Sequence, residues 1–403
     1  MSNKTHSIIE SNFRASYGKL FSALISQFGV GFTSEIEDAI QNTFLKSLKS
    51  WNTSKIPDHK ENWLFIVARN DMINQIRKKK KTSEEVVLIE EIETEISSED
   101  LRLQTILFLA SSTKISTQSK VLFTLKNIFG LHIREISEAT LLNQDAIYKN
   151  LKRAKRKLKL EFEAQDISVL VQKTSQEEIN IVEEILYAVF NIGFDSFDEK
   201  QKTIINEDLC LEALSLAKIL YEKHQLNSTK NLLALFCFHI ARIPAKIENG
   251  KLISFFKQKR ENWNKEMIQL GFHYLEKPEN LNKFYMETLI ISKYMMVKDF
   301  SQSHWNTIVN LYEILLKLSN SPIIKLNYCY CLNKADKTEQ ALEILEEIEN
   351  DFPSRHVYFS LVKANILRKK NPKKAENILA SIVEKMNQNI RKEYLLENSF
   401  IDL

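Results

Sequence analysis

Glycine and proline are scarce in this 403-residue chain, at seven and six residues. A β-sandwich or barrel needs many more, because its tight hairpins depend on residues that tolerate positive φ or fix it. The shortage predicts an all-α protein. No apolar run reaches the length of about 18 residues that a membrane helix requires, so no membrane partner is expected. The opening MSNKTHSIIESNF lacks the basic-then-apolar layout of a signal peptide, which points to a cytoplasmic location. Four cysteines occur, Cys210, Cys237, Cys329 and Cys331, with no CxxC pair and no paired histidines at zinc spacing. They read as buried thiols in a reducing compartment, and no metal site is expected. The eight histidines are scattered, and no nucleophile elbow, phosphate loop or HExxH is present. No catalytic residue, no cofactor and no enzyme activity are expected.

What the chain does have is an uneven charge. Residues 1–160 hold 25 Lys or Arg and 18 Asp or Glu, a balance of +7, while the remainder holds 31 and 34. The excess sits where a polyanion would bind. Within residues 1–81, Ile36, Ala39, Ile40, Phe44, Leu45 and Leu48 follow helical spacing, with Glu35, Glu37 and Asp38 in the first turn and Ser34 as N-cap. Asn52 to Asn62, with Pro57, predicts a loop. A second helix follows, with Trp63, Ile66, Val67, Asn70, Ile73 and Ile76 on one face and the cationic run Arg77 to Lys81 at its end. Residues 82–116 carry Glu84, Glu85, Glu90, Glu91, Glu93, Glu95, Glu99 and Asp100 and predict an acidic linker outside the core.

Residues 117–160 predict a helix-turn-helix. After Gly130 comes a short helix with Ile133, Ile136 and Ala139 inward, then a break, then a long helix from Gln144. Gln144 to Lys159 holds seven Lys or Arg against one acid, Asp145, yet Ile147, Leu151, Ala154 and Leu158 make a single apolar stripe. Such a stripe seats a helix so that its other face enters a major groove. Gln144, Asp145, Tyr148, Lys149 and Lys152 would probe bases, while Arg153, Arg156, Lys157 and Lys159 suit phosphates.

Residues 161–403 read as amphipathic helices with short breaks. From Trp305 onward they alternate at roughly 34-residue spacing, with Ala341 and Ala364 where helices would cross, a tetratricopeptide-like pattern. His239 and Cys237 read as core residues. In FFKQKRENWNKE, Lys257, Arg260, Glu261 and Trp263 read as a charged helix face with one packed Trp, the competing reading being a binding groove.

These segments resemble regions two and four of sigma-70 family RNA polymerase sigma factors of the extracytoplasmic-function type. EIEDAIQNTFLKSLKSW is similar to the helix that docks on the coiled coil of the polymerase β′ subunit, which places core contact on Glu37, Asp38, Gln41 and Phe44. WLFIVARNDMINQIRKKKK is similar to the helix that meets the minus-ten element, which assigns Asn70, Asn74, Arg77 and Lys78 to DNA. The loop between them resembles one that captures a flipped base. Glu135-Ile136, Leu142-Asn143 and Leu151-Arg153-Ala154-Lys155 resemble the minus-thirty-five reader, which also neighbours the β flap. Asn74 and Asn150 stand where many members have Asp and Arg. Residues 180–403, through ILYAVFNIGF, LCLEALSLAKIL and NLLALFCFHIARIPAK, resemble the tetratricopeptide-like extension of one subgroup. The resemblance implies core polymerase and promoter DNA as partners, with a regulatory protein or peptide on the extension. The competing expectations are a helix-turn-helix regulator with a helical sensor domain, acting without polymerase, and a tetratricopeptide scaffold whose basic helices are incidental.

Overall fold

The computed structural model describes residues 16–53, 56–80, 98–162, 174–196, 204–353 and 356–398. Among them the chain is all-α, apart from one antiparallel pair of two-residue strands, Ile247–Glu248 and Lys251–Leu252. It divides into two compact units, Met1–Ser137 with Gln144–Val189, and Glu138–Asn143 with Phe190–Leu403.

The first unit begins with a helix at residues 16–28 (α1) and a 3-10 turn at Val30–Phe32. Two long helices follow, Thr33–Thr53 (α2) and Lys60–Lys80 (α3). Tyr17, Phe21 and Leu24 of α1, Ile36, Ala39 and Ile40 of α2, and Leu64, Ala68 and Met72 of α3 build the core. Three expectations need correcting here. Thr33 Oγ1 donates to the Val30 carbonyl at 2.6 Å, so α2 starts at Thr33 and Ser34, expected as the cap, is already helical. Leu45 is 57% exposed and Ile66 56% exposed, although helical spacing puts both in apolar stripes. On α3 the buried positions recur every fourth residue from Leu64. Ile66 and Asn70 each lie two positions past a buried residue, about 200° round a helix at 100° per residue, and so face outward.

The expected linker is corrected more heavily. Ser98–Ser111 is a helix (α4) with Leu103, Ile106, Leu107, Phe108, Leu109 and Ala110 all buried. The acids cluster before it, and LRLQTILFLA runs apolar without a break from Ile106 to Ala110, so it belongs in the core. Glu84 to Glu95 lie outside the described residues. Arg102 donates to the Ile128 carbonyl at 3.4 Å and lies over the Phe129 ring, and Phe108 packs against Phe162 with tilted rings 4.3 Å apart. Lys120 Nζ donates to the Ala110 carbonyl at 2.5 Å.

Thr117–Asn127 (α5), Ile133–Ala139 (α6) and Gln144–Glu161 (α7) follow. Ser116 caps α5 by accepting from the Ser119 amide, and Glu135 caps α6 by accepting from the His132 amide at 2.7 Å. Ala139, expected inward, is exposed. Phe21 meets Phe123 edge-on at 6.2 Å. Beside them a Cβ on Gly18 would lie 1.7 Å from the Ile128 oxygen, so α1 and the end of α5 approach as closely as backbones allow.

In the second unit the end of Gln176–Phe194 (α8) is followed by Glu207–His224 (α9), Asn227–Ala241 (α10) and a turn at Ile243–Lys246 (α11). Lys265–Tyr274 (α12), Lys283–Met296 (α13), Gln302–Leu318 (α14) and Pro322–Lys334 (α15) come next. Thr338–Ile348 (α16), Val357–Leu367 (α17), Pro372–Lys385 (α18) and Asn389–Asn398 (α19) complete it. Leu232 to Phe238 are buried without a break because α9, α12 and α13 surround α10. A Cβ on Gly271 would meet the Phe238 ring at 2.6 Å, so α12 can approach only there. From α14 onward helices pair, with alternate members starting at residues 302, 338 and 372. Ala341 and Ala364 are fully buried between them. All four cysteines are buried and free, and burial pushes each thiol up to about 12.

The stretch FFKQKRENWNKE corrects another expectation. It forms two 3-10 turns, Phe255–Lys257 and Arg260–Asn262, rather than a helix face. Trp263 is buried, and Arg260 donates to the carbonyls of Tyr294, Met295 and Val297 at the end of α13.

Candidate nucleic-acid and polymerase interface

The cationic helix α7 is positioned by its apolar seam. Ile147, Leu151, Ala154 and Leu158 are all buried, and the seam packs on α5. Ser119 Oγ donates to Asn150 Oδ1 at 2.5 Å and fixes the rotation of α7 on α5. Position 150 is therefore a strut between helices, a role its sequence did not announce. The far end of α7 is pinned by Glu161, whose carboxylate accepts from the Thr113 amide at 2.8 Å and from the Ser112 and Thr113 hydroxyls. So anchored, α7 turns Gln144, Asp145, Tyr148, Lys149, Lys152, Arg153 and Arg156 outward, with Tyr148 58% exposed. A tyrosine and a fan of cations on one rigid rod can stack on bases and grip phosphates.

On α3, Asn70, Asn74, Arg77 and Lys78 are all exposed. Beneath them Asp71 accepts from Asn42, Lys46 and Gln75, tying α3 to α2. Burial raises the Asp71 pKa, but these three donors outweigh it and hold the carboxyl below its ordinary value.

The four expected polymerase contacts separate. Asp38 and Gln41 are exposed on α2, whereas Phe44 is only 5% exposed and belongs to the core. Its role as a contact is corrected, since a side chain with no free surface cannot dock. Glu37 is engaged from within the unit, accepting from Lys155 Nζ at 2.5 Å. Both side chains are largely covered, and Lys126 lies close enough for Glu37 to oppose the downward pull of burial on its pKa. The turn Val30–Phe32 also packs along α7. α7 and α2 thus share a surface. Spacing along the sequence shows each helix but carries no sign of their contact, because Glu37 and Lys155 lie 118 positions apart.

Residues 13–82 match the family model for sigma-70 region 2. Residues 178–279 match a family of unknown function, DUF6596. The uncharacterised protein R00370 of Rhizobium meliloti (strain 1021) is 24% identical over 354 residues, covering 82% of this chain and 81% of that one. No solved structure matches the chain. The region 2 match supports a sigma-70 family sigma factor, and it falls on α1, α2 and α3, where Asp38 and Gln41 are exposed. No described helix is long and apolar enough to cross a membrane.

Proposed function

We propose that the chain is a sigma factor of the extracytoplasmic-function type, acting in the cytoplasm. The observation that carries this reading is the region 2 match over a bundle whose α2 shows acid and amide to solvent while α3 shows asparagines and cations. Asp38 and Gln41 would hold the β′ coiled coil of core RNA polymerase. Asn70, Asn74, Arg77 and Lys78 would meet the minus-ten element, with the loop before α3 taking an unstacked base. α6 and α7 would act as a helix-turn-helix at the minus-thirty-five element, near the β flap. The tetratricopeptide-like second unit would regulate or support activity by taking a protein or peptide.

The shared surface of α2 and α7 adds a step to this reading. The two promoter elements are centred about 25 base pairs apart, which is about 85 Å along B-form DNA at 3.4 Å per pair. Two surfaces tied by the Lys155–Glu37 ion pair cannot span that distance. The first unit must therefore part when it joins polymerase and promoter.

The test is transcription with purified core polymerase. Asp38→Lys with Gln41→Ala should weaken binding to core at least tenfold while leaving the thermal unfolding of the chain unchanged, because both side chains are exposed. Unaltered core binding would instead favour a regulator that works without polymerase.

A further inference from the structure

The region 2 bundle and the cationic helix leave one group of side chains in the second unit without a task. Lys246 Nζ donates to the Phe194 carbonyl at 2.5 Å and to Asp195 Oδ1 at 3.1 Å. Arg391 Nη2 donates to that same Asp195 oxygen at 2.6 Å. Arg242 lies across the Phe255 ring, its Cζ 4.2 Å from the centroid, and its Nε donates at 3.4 Å to the neutral amide of Gln258. His239 meets Phe194 edge-on at 4.9 Å, and its Nδ1 is buried without a hydrogen-bond partner. Phe194 is the common floor, since Lys246 Nζ stands 3.9 Å and Arg242 Cζ 5.8 Å from its ring centre.

The charges do not balance. Among the described residues, one carboxylate serves Lys246 and Arg391, and Arg242 has no carboxylate within hydrogen-bonding reach. Buried cations are ordinarily paired, because desolvation without a counter-charge is costly. Burial pulls the pKa values of Arg242 and Lys246 down, and Asp195 opposes it. A purely structural role explains part of the cluster. Arg391 and Gln388, both bonded to Asp195 or the Ser196 carbonyl, clamp α19 onto the end of α8. It explains neither Arg242 nor the bare nitrogen of His239. The group meets solvent only at its edge, where the Asp195 side chain is partly exposed, while Arg242 and Lys246 are buried.

We propose that His239, Arg242 and Lys246, with Arg391 beside them, bind the phosphoryl group of a small phosphorylated molecule. A guanidinium fork, an ammonium and an imidazole N–H form a donor set for the oxygens of such a group. The charge also matches. Among the described residues, three cations and one carboxylate leave a surplus of two, and a phosphate monoester carries about −1.5 to −2. A single carboxylate would neutralise only half of it. The C-terminal unit is then a sensor of a phosphorylated metabolite, with Arg391 reporting occupancy to the last helix.

The test uses the full chain and inorganic phosphate as probe, read by calorimetric titration and thermal unfolding at constant ionic strength, with acetate in parallel. Phosphate should bind and raise the Tm by several degrees, and acetate should do neither. Arg242→Gln should weaken phosphate binding at least tenfold, with Arg242→Lys recovering part of that affinity. His239→Phe, which fills the same space without a buried bare nitrogen, should fold at least as stably and still bind phosphate several-fold more weakly. The proposal fails if the wild-type chain shows no phosphate response, if acetate matches phosphate, or if folded His239→Phe responds like the wild type. It also fails if Lys149→Ala with Lys152→Ala abolishes the response, since the phosphate would then sit on α7.

Discussion

A chain carrying Gly31→Cys with Lys159→Cys should lose promoter-directed transcription when the two thiols are oxidised, and regain it on reduction. A Cβ at position 31 would lie 4.0 Å from Lys159 Cγ, so side chains at the two positions are in contact, and a disulfide would bring their Cβ atoms to about 3.5–4.5 Å. The bond would lock the turn before α2 to the end of α7. On the proposed reading, α3 and α7 could not reach their separate promoter elements with that lock closed, so transcription should fall at least tenfold. The native cysteines do not compete, because all four are buried and their thiols are held protonated. Single-cysteine chains and reductant supply the controls in a run-off assay with core polymerase. Full activity in the oxidised double variant would mean that the compact unit engages the promoter as it stands.

The second large effect is expected on α7. Lys149→Ala with Lys152→Ala removes two exposed cations from the end that would enter the groove. Promoter use should weaken by roughly 1–3 kcal/mol for each base that is no longer read. The measurement is a footprint or competition assay on specific and scrambled promoters. Weakening confined to the specific promoter marks base recognition, whereas equal weakening on both would mark phosphate binding and a shallower salt dependence. Neither side chain touches the buried seam, so the unfolding midpoint should stay in place.

How far the sequence can be read depends on how local the signal is. The seam of α7 is legible residue by residue, because four apolar positions stand alone in a charged helix and have only one way to be buried. On α2 and α3 apolar residues are more plentiful than one face needs, so spacing puts Leu45 and Ile66 inward, whereas Phe44, which spacing also puts inward, is buried although the resemblance assigns it to polymerase. Residues 98–111 mislead for the opposite reason. The acids before them set the character of the whole stretch and hide a short apolar helix. The all-α class follows from scarce glycine and proline alone. What no local pattern can show are the long-range pairs, Glu37 with Lys155 and Asp195 with Arg391, the second of which joins residues 196 positions apart. Charge runs reveal where cations are abundant, but not which of them the fold spends on itself.

The glycine at position 18 sets how firmly the compact form is held. Its missing side chain is what lets the first helix rest against the oxygen of Ile128. A single added methyl would act as a wedge in that seam, costing roughly 1–3 kcal/mol of the closed packing. If the first unit parts on the promoter as proposed, a side chain at position 18 would favour the parted form while leaving every exposed cation of α3 and α7 in place.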